Sequence, residues 1–164
     1  MKTLTIFRHA KSSWNHPKLS DHDRPLNKRG ERDAPIMGDR LTAAGIRPSL
    51  IISSTAVRAL TTARLLAKQI SYPQEFLQKE RDLYHAGVNR LFDVIARQDE
   101  GFNSIVVVGH NPGLTDFANV FLPGLTGNIP TAGFVAIEID SDDWNLRERG
   151  DSRLIEYNYP KKPA

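Results

Sequence analysis

The sequence predicts an α/β domain built as a three-layer sandwich, a mostly parallel central sheet with helices on both faces. Three observations carry this. Leu4–Phe7, Leu50–Ile52 and Ile105–Val108 are short, almost wholly apolar runs, as expected of strands buried on both faces. Between them lie longer stretches whose apolar residues recur at helical spacing. Strands that alternate with helices are the pattern of parallel strands joined by crossover helices.

The elements follow in order. Thr3–Phe7 reads as a buried strand, and Lys11–Pro25 as a long polar loop. Asn27 is an N-cap for a helix through Glu31, Ala34, Met37 and Leu41 to about Ala44, with Gly45 as its stop and Pro35 predicting a kink or a later start. Leu50–Ile52 is a second strand, leading through Ser53-Ser54-Thr55 into a helix from Ala56 to about Gln69 with Arg58 in its first turn. Phe76-Leu77 is a candidate strand, followed by the loop Arg81–Gly87 and a helix marked by Leu91, Val94 and Ile95. Ile105–Val108 is the third apolar strand, and Pro112 stands at the first position of a helix running to Phe121. Gly133–Ile139 alternates as a strand, Arg153–Tyr157 is a candidate edge strand, and Tyr159–Ala164 reads as a loose tail.

With 164 residues, 40% hydrophobic and 25% charged, the chain is expected to form one domain over 1–164, its core spanning about 3–139 and a C-terminal extension following from about 140. The absence of cysteine excludes disulfides, thiolate nucleophiles and zinc-thiolate sites. Arg8, His9 and Lys11 interrupt the first apolar stretch, so no secretory or membrane-spanning segment is read there, and a cytoplasmic protein without a membrane partner is expected. The net charge of +3 is spread along the chain, which argues against a dedicated nucleic-acid binder.

Two strands each release a histidine into a turn, Arg8-His9 after the first and His110 after Gly109. If the strands are parallel neighbours, both imidazoles face one crevice. Neutral imidazole is a competent nucleophile towards phosphorus, which suits His9, and His110 would donate a hydrogen bond to the transferring phosphoryl oxygens. Arg8 and Arg58 suit the clamping of phosphate, because a guanidinium gives two parallel charge-assisted hydrogen bonds. Taken singly, each residue has a plainer reading as a turn-capping histidine or a solvated arginine; together they point to phosphoryl chemistry. His16, His22 and His85 read as solvated loop residues, and His22 between Asp21 and Asp23 lacks the further ligands of a metal site.

Leu4–Ala10 (LTIFRHA), Ser53–Ala63 (SSTAVRALTTA) and Val107–Gly113 (VVGHNPG) resemble the three signatures of the histidine phosphatase superfamily, whose fold is phosphoglycerate mutase-like. The short length and the run Asp23–Gly30 (DRPLNKRG) make the chain most similar to SixA-type phosphohistidine phosphatases. Ala10 stands where the family often has glycine. The resemblance implies that His9 forms a phosphohistidine intermediate and that Arg8, Arg58 and His110 bind the phosphoryl group. It implies no metal and no organic cofactor.

An alkyl phosphate leaves as a poor alkoxide and needs a nearby acid, for which Asp82 and Glu80 are the candidates, Asp82 matching the family position better. SixA-type enzymes resemble a simpler case, since the nitrogen leaving group of phosphohistidine departs more readily. The expected substrate is therefore a phosphorylated protein, such as a phosphotransfer or phosphorelay domain, with inorganic phosphate as product. The alternatives are a small-phosphoester phosphomonoesterase using Asp82 or Glu80, and a non-catalytic phosphate-binding or protein-interaction module. A mutase would have to retain its intermediate instead of admitting water.

Overall fold

The computed structural model describes residues 1–163; Ala164, the last residue of the expected tail, lies outside them. Six strands, β1 (Lys2–Arg8), β2 (Leu50–Ser53), β3 (Gln78–Lys79), β4 (Ser104–Gly109), β5 (Phe134–Ile139) and β6 (Ser152–Asn158), form one sheet in the order β3-β2-β4-β1-β5-β6. β3, β2, β4 and β1 are mutually parallel, whereas β5 runs antiparallel to both β1 and β6. The four main helices are α1 (Lys28–Ala43), α2 (Val57–Gln69), α3 (Val88–Ala96) and α4 (Gly113–Phe121).

The apolar runs are continuous because the sheet is covered twice. Ile105 and Val107 of β4 join Leu4 and Ile6 of β1 in a core with Leu91 and Ile95 of α3 and Phe117 of α4. Their neighbours Val106 and Val108 face the other way, with Phe7, against Met37 and Leu41 of α1 and Ala63 and Leu66 of α2. The period-two alternation of a strand therefore serves two helix pairs, giving the three layers. Among the described residues no helix is long and apolar enough to cross a membrane.

Five expectations are corrected. α1 starts at Lys28 after the expected Asn27 cap and continues through Pro35 instead of starting later, held by the buried face of Ala34, Met37 and Leu41, which outweighs one lost backbone bond. Phe76 belongs to a 3-10 turn and is 65% exposed, while the edge strand forms two residues later, where Gln78 and Lys79 pair with Ile52 and Ser53. Pro112 is the residue before α4, whose first residue is Gly113. Arg40 donates to Asn158 Oδ1 and to the carbonyls of Tyr159 and Lys162, so the tail is tied to α1. The core does not end at about 139, because β6 joins the sheet and Trp144 and Leu146 are buried on the α3 side.

Candidate active site

The ladder between β1 and β4 pairs Arg8 with Gly109, so the two chains leave the sheet side by side. His9 and His110 are the next residues, and their ring centroids lie 5.3 Å apart. A crevice outside the carboxyl ends of parallel strands is where this architecture binds ligands, because loops and helix starts converge there. The cleft at that edge has a volume of about 320 Å³ and brings together Arg8, His9, Arg58 and His110. All four residues expected at the site from the first, second and third motifs therefore line one cavity.

His9 is held as a continuation of the sheet. Its amide donates to the Gly109 carbonyl at 3.0 Å, and its carbonyl accepts from Ala132 N at 3.0 Å. The following residue, Ala10, donates to Thr62 Oγ1 on α2, whose hydroxyl donates to the Arg58 carbonyl. His9 is 8% exposed, and its Nδ1 donates to the Ala10 carbonyl at 2.7 Å. A carbonyl only accepts, so the proton is fixed on Nδ1. Burial, and then the nearby charges of Arg58, Arg8 and Arg24, push its pKa down to about 4. At neutral pH the ring is thus uncharged with its Nε2 lone pair free.

His110 Nε2 is hydrogen-bonded to Ser54 Oγ at 2.8 Å, and Ser54 extends the ladder through its amide to the Val108 carbonyl. Ser54 Oγ also accepts from Ala56 N at the start of α2. Burial, followed by His9 and Arg58, pushes the His110 pKa down to about 3. Among the described residues, His110 Nδ1, Arg8 Nε and Arg58 Nε are buried without a hydrogen-bond partner. Such groups are rare in folded proteins.

Asp21, in the polar loop, was not among the residues expected at the site. Its carbonyl accepts from Arg58 at 2.6 Å and its Oδ2 from Arg58 at 3.0 Å, from the Tyr84 hydroxyl at 2.6 Å, while Oδ1 accepts from Arg24 Nε at 3.2 Å. The Tyr84 hydroxyl bond, with Arg58 and Arg24, holds the carboxyl far below the usual carboxylate range. Arg24 also donates to Ser12 Oγ and lies 3.7 Å from the Trp14 ring centroid, and both Arg24 and the exposed Trp14 line the cleft. Arg24 stood in the run Asp23–Gly30, but a loop without periodicity carries no local signal for where its side chain goes.

Asp82 and Glu80 are not at the cleft. Asp82 Oδ2 lies 3.0 Å and Glu80 Oε2 3.7 Å from the Arg97 guanidinium, and Glu80 Oε1 accepts from Asp82 N. The 3-10 turn Arg81–Leu83 directs both towards the end of α3, so neither reaches the crevice as the expected acid. The residue of this segment that does line the cleft is His85, which the sequence placed among solvated loop residues.

The model of the histidine phosphatase superfamily (branch 1) matches residues 4–86. An uncharacterized protein of Mycobacterium tuberculosis is 29% identical over 165 residues, covering 94% of this chain and 99% of its own. A crystal structure from Agrobacterium tumefaciens named for the phosphohistidine phosphatase SixA superposes with a TM-score of 0.79 at 28% identity, covering 97% and 98% of the two chains. The protein histidine phosphatase SixA complexed with tungstate shares the fold, with a TM-score of 0.79 at 20% identity over 96% and 97% of the chains.

Proposed function

The chain belongs to the histidine phosphatase superfamily, and from that premise we propose that it removes phosphoryl groups through a covalent phosphohistidine on His9, with a phosphorylated histidine of another protein as substrate. The observation that carries this is the state of His9: fixed by Nδ1–H to the Ala10 carbonyl and uncharged, it leaves Nε2 as a nucleophile among cationic groups. The lone pair of Nε2 forms the bond to phosphorus while the bond to the leaving group breaks, and water then cleaves the phosphoenzyme. Arg8 and Arg58 bind the equatorial oxygens, whose charge grows in the transition state. His110, hydrogen-bonded through Nε2 to the Ser54 hydroxyl, donates to a phosphoryl oxygen.

The preference for a protein substrate rests on the shape of the mouth. Among the described residues no element of the fold covers Trp14, which is 73% exposed beside the cleft, so a side chain presented by another surface can enter. The SixA name of the Agrobacterium tumefaciens structure supports the same reading.

The test is incubation of wild type and His9→Ala with a protein carrying radiolabelled phosphohistidine, followed by quenching under conditions that preserve phosphoramidates. The expected result is loss of substrate label and a transient labelled enzyme with wild type alone. Hydrolysis by His9→Ala at the wild-type rate would remove the covalent mechanism, and the absence of hydrolysis by wild type would remove the substrate.

A further inference from the structure

His85 adopts a left-handed backbone conformation at the edge of the cleft. Its φ of 57° is in the left-handed region, uncommon outside glycine although histidine enters it more readily than most residues. The conformation sets its ring against Tyr84 at a 37° tilt, centroids 3.9 Å apart, and brings it to the wall of the cleft 6.2 Å from the His110 ring. Asp21 Oδ2 lies 3.8 Å from its Nε2.

In-line displacement at phosphorus puts the leaving group opposite the nucleophile. His9 is 8% exposed at the floor, so the leaving atom faces the mouth, where the His85 side chain is 66% exposed. Glu80 and Asp82 are turned away to Arg97. Imidazole is the side chain best matched to proton transfer near neutral pH. We infer that His85 is the proton donor to the leaving group, and that it extends the reaction of this cleft to phosphomonoesters with oxygen leaving groups; the inference rests on His9 being the nucleophile.

In the first step His9 Nε2 bonds to phosphorus, the P–O bond to the leaving group breaks with its electron pair going to oxygen, and the His85 imidazolium gives that oxygen a proton, so an alcohol departs. In the second, a water oxygen attacks phosphorus and passes its proton to neutral His85, and the P–N bond breaks with its electron pair returning to His9. Inorganic phosphate leaves and His85 is again protonated. A phosphohistidine substrate needs this less, because its imidazole takes up a proton on the distal nitrogen from solvent.

The experiment compares wild type with His85→Asn, since asparagine tolerates the left-handed backbone but carries no transferable proton. The readout is kcat/KM, which reports phosphoryl transfer to His9, for glycerol phosphate and for p-nitrophenyl phosphate, whose leaving group needs no proton. The expected loss is ~10²- to 10⁴-fold on glycerol phosphate and less than about tenfold on p-nitrophenyl phosphate. Equal losses on both esters, no loss on either, or failure of wild type to cleave glycerol phosphate overturns the role of His85. Failure of wild type to form a labelled phosphoenzyme from any of these substrates overturns the nucleophile itself, a separate and distinguishable outcome.

Discussion

Asp21 reaches from the loop after β1 to Arg58 in the first turn of α2, taking one guanidinium nitrogen on its carbonyl at 2.6 Å and another on Oδ2 at 3.0 Å. A cation at a helix N-terminus opposes the helix dipole, and here an anion from a distant loop compensates it. The pair fixes the direction of Arg58 before any substrate arrives, which is the kind of preorganisation that phosphoryl transfer rewards.

Arg58→Ala is expected to weaken binding of phosphate or vanadate by ~10- to 100-fold, the worth of about 1.5–3 kcal/mol for hydrogen bonds to a charged group. Asp21→Ala should act largely through Arg58, so the double variant should lose less than the sum of the two, with a coupling of ~0.5–3 kcal/mol in a binding titration. Strict additivity would show that the two residues work independently.

His110→Ala is expected to lower the rate of phosphoenzyme formation by ~10²- to 10³-fold, as for loss of one preorganised donor to a developing oxyanion. Rapid-quench kinetics measure this step directly. Ser54→Ala, which removes the partner of His110 Nε2, should cause a smaller loss in the same step, and a full-sized loss would mean that Ser54 itself touches the substrate.

Acid should destabilise the fold through its two buried imidazoles. Their folded pKa values, about 4 for His9 and about 3 for His110, lie below the ordinary 6.5. As pH falls through 6.5 the unfolded chain takes up protons that the native state refuses, so stability present at neutral pH is lost down to those lower values. For His9 the loss is on the order of 3 kcal/mol. Urea unfolding at pH 7 and pH 4.5 should show a smaller acid-induced loss in His9→Gln than in wild type; equal losses would assign the effect to other groups.

Two glycines pack against the backbone of segments that carry the cleft residues Lys11 and His85. A Cβ on Gly113 would stand 1.9 Å from the Ala86 carbonyl oxygen, and one on Gly30 would stand 2.2 Å from that of Lys11. Backbone cannot yield as a side chain tip can, so Gly30→Ala and Gly113→Ala should each cost ~1–3 kcal/mol, read as a fall in Tm of about 2–4 °C per kcal/mol. Gly113→Ala should also disturb the adjoining His85 and slow ester hydrolysis more than Gly30→Ala does.

Sequence by itself determined the three layers and four residues of the cleft. The runs around Ile6, Ile51 and Val107 announce strands covered on both faces, the spacing of Val57, Ala63 and Leu66 announces a helix face, and Arg8, His9 and His110 follow their strands by chain continuity. These are local facts, encoded by periodicity and by what comes next in the chain. Tertiary structure alone decided that Asp21 meets Arg58, that Arg97 takes Asp82 and Glu80, that the edge strand forms at Gln78, and that His85 is the residue turned into the cleft. Each depends on where an aperiodic loop lands on a distant element, and that is set by the packing of the sheet and helices against one another, for which no short stretch of sequence carries the period.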